Sequence, residues 1–178
     1  GIPQPFNGSA PDYLDYQIPL VVPIVINPAN PQVLFVGTNL TYDPSVVATP
    51  TIQNGVYKSI DGGANWTFSS NGLPIRAGTT ATAFDVLSLA INPANPNELW
   101  GSVIDGAASV NAGGIYHTVD SGANWSDAST GITSADIRAL YVDPTNPAIV
   151  YAAGGGPAGN PGGVYKTTDS GAHWLSIS

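Results

Sequence analysis

Nearly the same twelve residues occur three times in this chain: Gly55-Val-Tyr-Lys-Ser-Ile-Asp-Gly-Gly-Ala-Asn-Trp66, Gly114-Ile-Tyr-His-Thr-Val-Asp-Ser-Gly-Ala-Asn-Trp125 and Gly163-Val-Tyr-Lys-Thr-Thr-Asp-Ser-Gly-Ala-His-Trp174. A chain that repeats itself is built from stacked copies of one unit, each burying its apolar face against the next. Residues that recur in every copy are therefore expected to hold the copies together rather than to catalyse.

Each copy is preceded by a second shared element: Ile26-Asn-Pro-Ala-Asn-Pro31, Ile91-Asn-Pro-Ala-Asn-Pro96 and Val142-Asp-Pro-Thr-Asn-Pro147. Apolar runs flank it, Val21 to Ile26 before and Val33 to Val36 after in the first copy, with counterparts at 86–91 and 98–101 and at 137–142 and 149–152. The doubled proline element reads as a tight turn between two strands, because proline presets φ and asparagine tolerates unusual dihedrals. A variable loop, the Gly-Val-Tyr strand, an Asp-Gly turn and a last strand over Trp66 to Ser69 complete four strands per unit. The three aspartates Asp61, Asp120 and Asp169 are 59 and 49 residues apart. Four antiparallel strands repeated at about 50 residues are the pattern of β-propeller blades. The expected fold is all-β, with an extended arm over 1–17 and blades over about 18–70, 83–129 and 135–178. No stretch keeps a helical period without interruption by Gly or Pro.

The spacing Ser59-x-Asp61-x-Gly63-x-x-Trp66, repeated at Thr118, Asp120, Gly122 and Trp125 and at Thr167, Asp169, Gly171 and Trp174, resembles the Asp-box or BNR repeat. That repeat is found in sialidases, xyloglucanase-type glycoside hydrolases, sortilin-like receptors and a photosystem assembly factor. With the proline turn included, the match is nearest to the xyloglucanase-type repeats over residues 20 to 178. The resemblance implies a propeller fold with the box on the face away from any active site. It implies no single activity, since function resides in sites grafted onto a fold.

The residues of the box make sense as architecture. Its carboxylate is expected to accept turn N–H groups and the neighbouring hydroxyl, which the hairpin ladder leaves unpaired. Gly63, Gly122 and Gly171 suit positive φ, and Trp66, Trp125 and Trp174 are expected to bury apolar area between blades.

Charge removes whole classes of function. Four Lys plus Arg against 12 Asp plus Glu give a net charge of −8, so nucleic acid is not an expected partner. No apolar run reaches the roughly 20 residues of a membrane span. With neither Cys nor Met there is no disulfide framework or thiolate chemistry. A polar surface, a start at Gly1 and the acceptor sequences at Asn7 and Asn39 favour an exported, extracellular or periplasmic protein.

Catalytic constellations are sparse. His117 and His173 fall on repeat positions occupied elsewhere by Lys and Asn, which leaves a serine triad without a base. Metal ligands are not clustered, so neither a metal nor another cofactor is expected. Arg76 and Arg138 are the only arginines, too few for a sialidase site. One carboxylate pair stands out: Asp85 and Asp136 each lie seven residues before the proline turn, at the start of an innermost strand. Two such carboxylates are what glycoside hydrolysis generally needs, whereas an aspartate at a strand entrance also serves simply as a turn residue.

The loops between the second and third strands, about 39–54, 105–113 and 155–162, occupy one slot in successive blades and therefore emerge on one face, where binding usually resides. They offer Tyr42, Asp43 and Asp105 as candidate contacts for a protein partner or a neutral glycan. The expected function is a non-enzymatic module that binds or scaffolds another macromolecule, with a segment of a polysaccharide-active hydrolase as the alternative. Three blades leave two apolar faces open, so further blades or a partner are expected to complete the ring.

Overall fold

The computed structural model describes residues 20–39, 54–74, 84–105, 113–134, 136–155 and 162–178. The expected arm over 1–17 lies outside them. The described residues form twelve strands in three four-stranded antiparallel sheets, ordered as they run in the chain. Blade 1 holds β1 (Leu20–Ile26), β2 (Leu34–Asn39), β3 (Val56–Ser59) and β4 (Thr67–Phe68). Blade 2 holds β5 (Phe84–Ile91), β6 (Leu99–Asp105), β7 (Gly114–Thr118) and β8 (Ser126–Asp127). Blade 3 holds β9 (Asp136–Val142), β10 (Val150–Gly155), β11 (Gly163–Thr167) and β12 (Leu175–Ser176). These are blades of a β-propeller.

Two strands differ in extent from the sequence expectation. The second strand of each blade starts one residue later and runs further than the apolar run suggests, because its polar end still pairs: Thr38 with Val21 and Ser102 with Ser88. The fourth strand is only two residues long and pairs through Tyr57 with Phe68 and Lys58 with Thr67, since the tryptophan before it belongs to the turn.

The proline turns are capped by the first Asn or Asp. Asn27 Oδ1 accepts the N–H groups of Ala29 (2.9 Å) and Asn30 (3.1 Å), and Asn92 Oδ1 those of Ala94 and Asn95. Asp143 Oδ1 does the same for Thr145 and Asn146. A proline between cap and turn costs nothing there, having no N–H to satisfy. Each inner strand also breaks register once, at 21–24, 86–88 and opposite 153–154. Such bulges raise the local twist, and in β1 the bulge accommodates Pro23, which cannot donate to a ladder.

Adjacent blades meet closely through β1, β5 and β9. Side-chain alternation then gives every blade two faces. On the face toward the following blade, blade 1 presents Phe35 and Val56, and blade 2 presents Ala90, Trp100 and Ile115, all buried. On the face toward the preceding blade, blade 2 presents Leu89 and Trp125, and blade 3 presents Val142, Tyr165 and Trp174. The result is two separate cores, one per blade junction. The hydrophobic effect thus acts between blades rather than within a single sheet.

Candidate functional site

The Asp hairpins repeat one hydrogen-bond network three times. In blade 1, Ser59 Oγ donates to Asp61 Oδ1 (2.8 Å) and accepts the N–H of Gly63 (2.9 Å). Asn65 donates its backbone N–H to Asp61 Oδ1 (2.8 Å) and its side-chain amide to Oδ2 (2.7 Å). Thr118, Asp120, Gly122 and Asn124 copy this arrangement, as do Thr167, Asp169 and Gly171, with His173 Nδ1 on Asp169 Oδ2 at 2.8 Å. All three carboxylates are held down to a pKa of about 2. The largest cause is the Asn65 backbone N–H for Asp61, the Asn124 side-chain amide for Asp120 and the Thr167 hydroxyl for Asp169. Donors that stabilise the ionised form leave an anion with its lone pairs committed and no proton to give.

The glycines at 63, 122 and 171 adopt φ of 93°, 80° and 93°, while the residue before each, Gly62, Ser121 or Ser170, also has positive φ. Serine in this region is uncommon. It is held by the next strand turn: the N–H of Ser121 donates to Asn97 O and that of Ser170 to Ala148 O, as Gly62 does to Gln32 O.

The three tryptophans differ. Trp125 Nε1 donates to Ser69 O of the preceding blade and Trp174 Nε1 to Ala128 O, both at 2.8 Å. Trp66, in the first blade, donates instead to Gly63 O of its own hairpin (3.0 Å) and is only half-buried. A complementary seat receives the hairpins of blades 2 and 3. Lys58 Nζ lies over the Phe35 ring and donates to Ser121 O (3.0 Å) and Ser121 Oγ (2.7 Å) of blade 2, and Ser69 Oγ donates to Gly122 O (2.8 Å). Burial lowers the Lys58 pKa, with Asp120 opposing that effect. In blade 2, His117 stacks on Trp100 at 4.7 Å and Trp100 Nε1 donates to Ser170 O of blade 3 (3.2 Å). His117 Nε2 lies 3.0 Å from Glu98 Oε1, so this histidine serves the blade junction.

Asp85 and Asp136 occupy equivalent places near the start of β5 and β9, opposite Ile104 and Gly155. Each is already engaged. Asp85 is buried and its Oδ1 accepts Asn54 Nδ2 from blade 1 (2.8 Å). Asp136 Oδ2 accepts hydrogen bonds from Arg138 Nε (3.0 Å) and a terminal guanidinium nitrogen (2.8 Å), so an arginine stands beside this carboxylate. The alternation of one strand puts residues two apart on the same face, which is the signal that could have paired them. Tyr42 and Asp43 lie outside the described residues. Asp105 ends β6, with its backbone paired to Phe84. Among the described residues, no group of three His, Asp or Glu is placed to hold a metal ion, and no helix is long and apolar enough to cross a membrane.

No family model and no curated protein sequence matches the chain. Solved structures do. The xyloglucanase of Xanthomonas campestris from glycoside hydrolase family 74 superposes with a TM-score of 0.60 at 18% identity, over 87% of this chain and 21% of that one. YCF48 from Cyanidioschyzon merolae gives 0.61 at 14% identity, over 98% of this chain and 41% of that one. YCF48 bound to a D1 peptide gives 0.53 at 15% identity, over 88% and 39%. The chain therefore spans well under half the length of these propellers, and the likeness is one of fold.

Proposed function

We propose that the protein is a non-enzymatic β-propeller module that binds or scaffolds another macromolecule in an extracytoplasmic setting. The observation that carries this reading is the state of the two candidate carboxylates: Asp85 holds Asn54, and Asp136 holds Arg138. A glycoside hydrolase requires one carboxyl free to protonate the leaving oxygen and another free to act as nucleophile or base. Here each carboxylate is tied to the scaffold through one oxygen, Asp85 Oδ1 to Asn54 of blade 1 and Asp136 Oδ2 to Arg138 of β9, while Asp136 Oδ1 is buried with no hydrogen-bond partner. The loops at about 39–54, 105–113 and 155–162 carry the binding surface in this reading, with Tyr42, Asp43 and Asp105 as its contacts. The peptide bound by YCF48, a protein of similar fold, supports a protein segment as ligand.

The alternative, a segment of a polysaccharide-active hydrolase, draws on the likeness to the xyloglucanase and on the equivalent placement of Asp85 and Asp136. Reducing-sugar release from xyloglucan and other β-glucans separates the two. The binding-module reading predicts no release by the wild-type chain. Release that disappears in the Asp85→Asn, Asp136→Asn double variant would establish the hydrolase instead.

A further inference from the structure

The two outer faces of the three-blade stack are the two halves of the junction that joins the blades inside it. On the open face of blade 3, Tyr151 stands where Phe35 and Trp100 stand in blades 1 and 2, and Lys166 Nζ lies 5.5 Å from its ring centre as Lys58 lies over Phe35. Val164 takes the place of Val56 and Ile115, which are fully buried, yet it is exposed, as are Tyr141, Leu175 and Ile177. Between Lys166 and Ile177 lies a hollow of about 320 Å³, lined also by Thr168, Asp169, His173 and Leu175. By alignment this is the seat that Lys58 and Ser69 form for the Ser121-Gly122 turn.

The open face of blade 1 carries the matching half. Ile24 and Ile26, exposed here, align with Leu89 and Ile91, which pack into the first junction. The hairpin Asp61-Gly62-Gly63 has the shape of the turns seated inside the stack, and the Trp66 indole donates to Gly63 O of that same hairpin.

We propose that a second copy of this chain docks the blade 1 face of one molecule onto the blade 3 face of the other. The Gly62-Gly63 turn of the incoming copy fills the hollow, Lys166 donates to the carbonyl of Gly62, and the Trp66 indole swings to Ile177 O, as Trp125 reaches Ser69 O. Lys166 also meets Asp61, just as Lys58 lies within the field of Asp120. The contact joins unlike faces, so it is heterologous and adds blades in the same sense. Two copies supply six blades, within the range of about four to eight in which propellers close. The inference concerns the blade faces and is independent of what the loops bind.

Light scattering and sedimentation over a concentration series up to about millimolar test it, with Ile24→Asp and Ile177→Asp as the perturbations. Both residues are more than half exposed, at 57% and 55%, so the fold survives each change and circular dichroism verifies that. The wild-type mass is expected to rise to twice 18.2 kDa. Each variant alone has one blocked face; its two-copy ring cannot close, and its self-association is expected to be lost. An equimolar mixture is expected to return to twice 18.2 kDa, because the intact blade 1 face of Ile177→Asp meets the intact blade 3 face of Ile24→Asp. A wild-type chain that stays at 18.2 kDa throughout, variants that still associate, or a mixture that stays monomeric would each overturn the proposal.

Discussion

Replacing Trp125 with Ala attacks the first blade junction at its centre. The indole is 5% exposed and packs with Phe35, Val56, Leu73 and Leu89 in one core. Truncating a buried tryptophan generally costs about 3–5 kcal/mol through lost transfer energy and the cavity left behind. Ser69 O also loses its donor at 2.8 Å, which places the expected loss at the upper end, about 4–5 kcal/mol. The identical change at Trp66 meets a half-buried ring whose indole donates within its own hairpin. It should cost roughly 1–2 kcal/mol. Urea unfolding followed by circular dichroism, at a concentration where the chain is monomeric, measures both from the shift of midpoint at constant slope. Losses of equal size, or a larger one for Trp66, would refute the idea that the tryptophans act by bridging blades.

A glycine comparison probes the same junction. Gly122→Ala and Gly63→Ala both place a side chain at positive φ, but the new Cβ at 122 would sit 2.6 Å from Ser69 Oγ and 3.2 Å from Phe35, against 3.6 Å from Trp66 for the one at 63. Thermal melts should show the loss at 122 exceeding the roughly 1–2 kcal/mol expected from conformation alone at 63. Acid unfolding should follow the hairpin carboxylates: with folded pKa values of about 2 against 3.8, their stabilisation is fully present above about pH 4 and is lost as pH falls toward 2. A melting temperature that is flat across that interval would show that the networks do not contribute. Asp120→Asn should lower the melting temperature while leaving binding at the loop face unchanged, and a stable variant without binding would place Asp120 in the functional site.

The periodic features were legible in the sequence because they are local. Asn27, Asn92 and Asp143 cap turns two and three residues away, and Asp61 with Ser59 and Asn65 closes a network within seven residues. Strand alternation did the rest. What was not legible depends on residues far apart. Nothing near Asp85 points to Asn54, 31 residues earlier, and Lys58 finds Ser121 across 63 residues. The repeat also conceals differences between its copies: Trp66 matches Trp125 in motif, yet only its place in the stack decides where its indole donates. Positive φ was expected at the third residue of each turn and was missed at the second, because serine there gives no hint of it without the strand turn that holds its N–H. Arg138 beside Asp136 was visible in principle from the two-residue period of β9.

Indole N–H exchange tests the stacking of blades most directly. The chain has four tryptophans, and three of their indoles donate across a junction: Trp100 to Ser170 O, Trp125 to Ser69 O and Trp174 to Ala128 O. Trp66 donates within its own hairpin. Hydrogen exchange followed by NMR on the monomeric Ile177→Asp variant should find the first three indoles protected and Trp66 exchanging fastest. Exchange of Trp125 and Trp174 at the rate of Trp66 would contradict the account, since it would mean that the hairpins do not tie one blade to the next.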